Sequence, residues 1–261
     1  MSITQTGKNL SILICTDYSF LFNWMSFAAW YSVSKNLPEA KVTIVSARNS
    51  INLQLYKWVN KIDAKFFLHT NFGKKNNIPY LNKIYSTYVA VKEGLVEQPC
   101  LVLDADMMAV RGLSKSLIDT LNGCDFATNQ SKDMSPVGPM WYFNNQSLEK
   151  IVEVINNIKV LGKTVDEQGM LHLDLLALQK TLGDPVVIDD LCNEAHEANT
   201  TTFTHYRKKC GGFFRAEYER GLAYPPFADQ LTLRTVDMTV NERKVFSLWA
   251  QMQMTFEALS K

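Results

Sequence analysis

Asp104 and Asp106 stand one residue apart, flanking Ala105, directly after the apolar run Cys100, Leu101, Val102 and Leu103. In open α/β sheets ligands bind at the carboxyl ends of the strands. Two acids placed there repel each other and are costly to bury unpaired. A divalent cation removes that cost, and a cation held by oxygen ligands can grip a diphosphate. The plainer alternative is a pair of acids in a strand-end turn, capping the next helix. Asp17, between Thr16 and Tyr18, repeats the pattern after another apolar run. It reads either as a ligand-edge acid or as a cap for the helix that follows. Arg207, Lys208 and Lys209 form a basic run, a candidate phosphate contact. The cluster reads equally as a solvated basic face.

Strands must carry these residues. Apolar runs at 10–15, 41–46, 65–68, 100–103 and 185–188 are continuous rather than alternating. That character predicts strands buried on both faces of a parallel sheet. Helical segments are expected between and after them, at 20–36, 51–62, 80–96, 148–158, 167–182 and 241–259. The 148–158 segment has one apolar face of Leu148, Ile151, Val152, Ile155 and Ile158. The last segment carries a stripe of Val245, Leu248, Trp249, Met252 and Phe256, read as packing against the domain. Alternation of strand and helix predicts a layered α/β domain.

The chain has 261 residues, so one domain spanning 1–261 is expected, with an appendage over about 211–261. A hydrophobic fraction of 46% and a charged fraction of 20% exclude intrinsic disorder. The net charge of +1 excludes a wholesale basic surface for nucleic acid, though not a local patch. No apolar stretch reaches the length of a membrane helix, and the first residues do not read as a signal peptide. Cys15, Cys100, Cys124, Cys192 and Cys210 are odd in number, and no two form a CxxC pair. They read as reduced, mostly buried thiols in a cytoplasmic protein.

The run LVLDADMMAV resembles the DxD strand of the GT-A glycosyltransferases, in particular the family 8 group that includes glycogenin-like and lipopolysaccharide glycosyltransferases. ILICTDYSF resembles that family's first strand, WYFNNQSLEKIV its strand and helix after the DxD, VDEQGMLHLDLLAL its DQD helix, and TTFTHYRKK its late His strand. The resemblance covers about residues 10–210 and implies a GT-A (Rossmann-like) α/β fold. Its sheet would be mixed, mainly parallel and flanked by helices, with a C-terminal helical segment. It implies Asp104, Asp106 and His205 as ligands of Mn²⁺ (or Mg²⁺), and imidazole beside carboxylates suits Mn²⁺ better. Thr16, Asp17, Tyr18, Lys83, Ala105, Arg207 and Lys208 become donor-binding residues, and Asn144 and Asn145 contacts to sugar hydroxyls. Asp166 and Gln168 fall in the acid-Gln-acid triplet, whose second acid is replaced by Gly169. The late His is followed by RKKCGGFF rather than the family's Gly, Lys and Pro-Trp.

The function expected is metal-dependent, retaining transfer of a sugar from a nucleotide sugar, UDP above all, to a hydroxyl acceptor. The acceptor class stays open among glycan, protein and a modified nucleic-acid base, and the oligomeric state is not legible. Two rivals are a sugar nucleotidyltransferase and a non-catalytic sugar-nucleotide-binding module. The first should carry a Gly-rich loop after its first strand, and none follows LSILIC. The second would be expected to lose the acids and the His, which are present.

Overall fold

The computed structural model of the chain describes residues 10–17, 20–48, 58–70, 81–97, 99–129, 140–164, 173–188, 190–194, 201–205 and 240–260. The strands are β1 (Ser11–Asp17), β2 (Lys41–Arg48), β3 (Lys65–Thr70), β4 (Cys100–Asp104), β5 (Met107–Ala109), β6 (Phe126–Thr128), β7 (Met140–Phe143), β8 (Val186–Val187), β9 (Cys192–Glu194) and β10 (Phe203–His205). Among the described residues, the helices of at least five residues are α1 (Phe20–Asn36), α2 (Asn82–Lys92), α3 (Lys115–Asn122), α4 (Asn145–Glu149), α5 (Ile151–Leu161), α6 (Leu173–Leu182) and α7 (Val240–Ser260).

Seven strands form one sheet in the order β3-β2-β1-β4-β7-β6-β8. The pairs β3–β2, β2–β1, β1–β4 and β6–β8 are parallel, while β7 runs antiparallel to both its neighbours. A mixed, mainly parallel sheet results. Both of its faces are covered, which is why the strand sequences are apolar without alternation. Ile12, Ile14, Ile44, Leu101 and Leu103 join one core cluster with Phe27, Val33 and Trp58. Leu13, Val45 and Val102 join a second with Ile84, Ile155 and Leu178.

A small second sheet, β5-β10-β9, continues from the end of β4. Helix α1 grips β5 by its backbone: Ala109 N donates to the Ser32 hydroxyl at 2.9 Å, and Asn36 Nδ2 donates to Ala109 O at 2.9 Å. The terminal helix α7 belongs to the same body. Val245 and Met252 are fully buried in the first cluster, and Leu248 packs against it. Lys244 Nζ donates to Val110 O at 3.1 Å, and Lys61 Nζ donates to Leu259 O at 2.7 Å. Trp249 and Phe256 of the expected stripe have side chains outside the described set.

The 80–96 helix ends early, at Lys92, and three further expectations change. The 185–188 run shortens to β8, and Val186 and Val187 are exposed, because β8 is the outer edge of the sheet. The 148–158 helix divides at Lys150 into α4 and α5. Of the 51–62 helix, the described part is a single 3-10 turn, Val59–Lys61, with 51–57 outside the described residues. The helix expected to end near Gly183 does so at Leu182, and Gly183 takes φ +83, which only glycine adopts at little cost. Cys15, Cys100, Cys124 and Cys192 are free and buried, as expected of structural thiols.

Candidate functional site

The site starts at the end of β4. Parallel pairing sets Cys15 of β1 beside Asp104, so both lie at the carboxyl edge of the sheet. The chain then turns through Ala105 and Asp106 into β5, so the two acids bridge the two sheets. Ala105 is buried in the turn, where a larger side chain would press on the core.

Lys83 comes to Asp104 from the first turn of α2. A cation there opposes the helix macrodipole, so the position is explained by its partners rather than by the helix. Its ammonium lies 3.1 Å from Asp104 Oδ1 and 4.2 Å from the centre of the Trp141 ring. Helix α2 is fastened beneath it: Thr87 Oγ1 donates to Lys83 O at 2.9 Å, and Cys15 Sγ reaches the same carbonyl at 3.7 Å. Burial pushes the Cys15 thiol up to about 12, so it serves this contact as a neutral thiol. The Asp104 carboxyl is raised above the ordinary carboxylate range by burial. Lys83 opposes the rise, Asp106 adds to it, and His205 opposes it.

His205 reaches Asp106 through the second sheet. β10 runs antiparallel to β5 with His205 opposite Met107. That register brings His205 Nε2 to 2.9 Å from Asp106 Oδ2, with both groups largely buried. Two ligands at right angles on one octahedral ion stand ~3 Å apart when their bonds are ~2.1 Å. Asp106 and His205 therefore already hold a spacing that one cation can share, and their donor types suit Mn²⁺. Asp104 is turned onto Lys83 instead. Among the described residues no three carboxylate, imidazole or thiol groups converge as a ready-made metal centre. The residues fit a divalent cation in kind and in part of their spacing.

One acid escaped sequence reasoning. Asp174, in the first turn of α6, is 5% exposed, and its Oδ1 accepts from Leu175 N at 2.8 Å. Burial pushes its carboxyl up to about 6; the Leu175 N–H and the Lys83 charge oppose this, and Asp104 adds to it. Asp174 thus belongs to the same electrostatic cluster. Its signal was available: an acid set among leucines in LHLDLLAL, on a helix face that must be buried. Trp141 was missed as well. It faces Val102 across the β4–β7 pair, and its ring carries Lys83.

The remaining expected residues divide. Thr16 and Asp17 end β1 at the same edge of the sheet. The Thr16 hydroxyl accepts from Ser26 Oγ at 2.7 Å, which ties β1 to α1. Asn144 and Asn145 are not brought to the site. Cys100 pairs with Phe143 and Leu103 with Met140, so Asn144 follows the opposite end of the sheet. Asp104 is ~15 Å away along the strands. The Asn144 side chain is engaged as an N-cap: Oδ1 accepts from Ser147 N at 3.1 Å, and Nδ2 donates to Asp125. Tyr18, Asp166, Gln168, Arg207 and Lys208 lie outside the described residues.

No family model matches the chain, and no curated protein sequence does. Solved structures do. The galactosyltransferase LgtC, solved with donor and acceptor sugar analogs, matches with a TM-score of 0.53 at 14% identity, over 83% of this chain and 97% of that one. The bifunctional glycosyltransferase WbbM matches with a TM-score of 0.52 at 12% identity, over 86% of this chain and 51% of that one. The glycosyltransferase GlyE of Streptococcus pneumoniae TIGR4 overlaps 96% of this chain with a TM-score of 0.49 at 13% identity, and the chain spans 63% of GlyE. At such identities the likeness to LgtC and WbbM is one of architecture, and the fold is that of the GT-A glycosyltransferases.

Proposed function

We propose that the protein is a retaining glycosyltransferase that moves a sugar from a nucleotide sugar, with UDP as the preferred nucleotide, to a hydroxyl acceptor. The observation that carries this reading is the convergence of Lys83, Asp104, Asp106 and His205 at the carboxyl edge of a mainly parallel sheet. The likeness to a galactosyltransferase solved with donor and acceptor analogs supports it.

Asp104, Asp106 and His205 would hold Mn²⁺. A divalent cation there supplies neutralising charge to the diphosphate as the glycosyl bond breaks. Lys83 adds a fixed positive charge at the same place, where its burial strengthens it. Its contact with the Trp141 ring holds the ammonium in position before the donor arrives, while Asp104 would turn from Lys83 to the cation. Thr16, Asp17 and Tyr18 would receive the nucleoside at the end of β1. Arg207 and Lys208 would meet the diphosphate after the His strand, and Gln168 and Asp166 would shape the sugar pocket. An amide is a poor nucleophile, which favours attack by the acceptor hydroxyl on the same face as the leaving phosphate. The stereochemistry of the donor is then retained.

The test is calorimetry with UDP, with and without Mn²⁺, on wild type, Asp104→Asn and Asp106→Asn, beside mass spectrometry of a UDP-sugar panel. Mn²⁺-dependent UDP binding that is lost in both variants is the expected result. Equal UDP affinity in all three proteins overturns the reading.

A further inference from the structure

A second cleft lies outside the cluster just described. It opens between β3, the outermost strand of the seven-stranded sheet, and the outer flank of α2, and encloses about 350 Å³. That volume is at the lower end of small-molecule sites, which run about 300–1,000 Å³. Phe67 and His69 enter it from one face of β3, Tyr85, Tyr88 and Lys92 from one face of α2, and Glu93 from the cap that ends α2. Tyr88 is ~7 Å along the helix axis from Lys83 and Lys92 ~13 Å, so the cleft runs away from the ion pair.

Its walls are built for a particular chemistry. Tyr85 and Tyr88 stand 5.6 Å apart between ring centres with 36° between their planes, forming a tilted aromatic shelf. Both are only half-buried, although they border the second core cluster. The shelf is held rigid from below. His69 meets Tyr85 edge-on at 5.2 Å, and His69 Nε2 is fixed at 2.8 Å from the buried Ser86 hydroxyl. The rim carries one exposed cation, Lys92, and one exposed anion, Glu93. Their charges cancel, so the cleft attracts neither a phosphate nor a carboxylate selectively. A rigid aromatic face beside phenolic, ammonium and carboxylate hydrogen-bonding groups matches a ligand with one apolar C–H face and a girdle of hydroxyls.

We propose that this cleft is a saccharide-binding site, separate from the donor site, that takes a neutral pyranoside against Tyr85 and Tyr88. The site rests on the glycosyltransferase reading only for its biological purpose, which is to hold part of a glycan near the enzyme. Its chemistry stands on its own geometry.

Saturation-transfer NMR on the full chain, without nucleotide or metal, tests it with a panel of neutral saccharides: glucose, galactose, lactose, maltotriose and cellobiose. At least one should bind. Affinity should fall about tenfold or more in Tyr88→Ala, the scale of one lost aromatic shelf. Tyr88→Phe keeps the ring and should stay within about threefold of wild type. Asp104→Asn should bind as wild type does, because the donor site is elsewhere. Binding by no member of the panel overturns the proposal, as does equal binding by wild type and a folded Tyr88→Ala. Loss in Asp104→Asn also overturns it, by placing the saccharide in the donor site. Saccharide binding that persists in a protein with no UDP affinity leaves the cleft standing and removes the transferase reading.

Discussion

His205 meets Asp106 because β10 pairs antiparallel with β5, with His205 opposite Met107, one residue beyond the acid. A slip of one residue in that register would turn His205 to the other face of the small sheet and break the 2.9 Å contact. The register is itself guarded from outside. Helix α1 takes both backbone groups of Ala109 through Ser32 and Asn36, and Thr202 O accepts from Val110 N at 2.8 Å. The Asp106–His205 half of the site is therefore positioned by backbone pairing over short strands, while Lys83 reaches the other half from α2.

Lys83 is the first residue whose role can be isolated. Lys83→Ala leaves the half-buried Asp104 without its ion-pair partner and removes positive charge from the place proposed for the diphosphate. UDP affinity should fall about tenfold or more, the scale of one lost charged contact. Lys83→Arg keeps the charge but cannot keep the point contact over Trp141, so partial recovery is expected. Titration calorimetry checks both; an Ala variant that binds as wild type does would remove Lys83 from the donor site.

Asn144 supports the opposite expectation. Its side chain caps α4 and holds Asp125, at the far end of the sheet from Asp104. Asn144→Ala should cost about 1 kcal/mol of stability, the usual price of a lost N-cap. It should leave KM for donor and acceptor unchanged. Denaturant unfolding and steady-state kinetics on the same preparation separate the two effects. A raised KM with unaltered stability would return Asn144 to the site.

How far the sequence carried this reading follows from the kind of signal each residue left. Continuous apolar runs marked β1 to β4, since strands buried on both faces need them, and the DxD acids stood out because they end such a run. Asn144 and Asn145 were implied as sugar ligands by the resemblance of WYFNNQSLEKIV to the family's strand and helix after the DxD. Whether β7 runs with β4 or against it decides which end they occupy, and local sequence does not encode that direction. Asp174 and Trp141 join the site through strand and helix packing between distant segments, a relationship that spacing along the chain cannot carry. The Lys83 partner was invisible for the same reason: 21 positions separate it from Asp104, and only the docking of α2 on β1 brings them together.

Asp174 gives a pH dependence with a definite sign. Burial raises its carboxyl from an ordinary value near 3.8 to about 6 in the folded protein. The folded state then binds the proton more tightly than the unfolded state does. Stability contributed by this group is present below about pH 4 and is lost as pH rises through about 6. Asp174→Asn keeps an oxygen for Leu175 N and removes the ionisation. The variant should be more stable than wild type at pH 7.5 by about 2–3 kcal/mol at most, with the gap closing near pH 4. Thermal unfolding at both pH values measures this. A gap independent of pH would show that Asp174 is not buried in an unfavourable charge state. Lower turnover in the more stable variant would identify the strain as part of the site's function.

Salt separates the acceptor classes. A nucleic-acid acceptor held through several phosphates releases counterions on binding, so log affinity falls linearly with log salt. A neutral glycan releases none, because hydrogen bonds and aromatic stacking displace water rather than ions. The net charge of +1 and the balanced rim of Lys92 and Glu93 both favour the shallow slope. With donor saturating, the apparent acceptor affinity should change less than about twofold between 50 and 200 mM salt. A fall of about tenfold or more across that range would assign the acceptor to the polyanions. It would also direct mutagenesis to Arg207, Lys208 and Lys209, the basic run that follows the His205 strand.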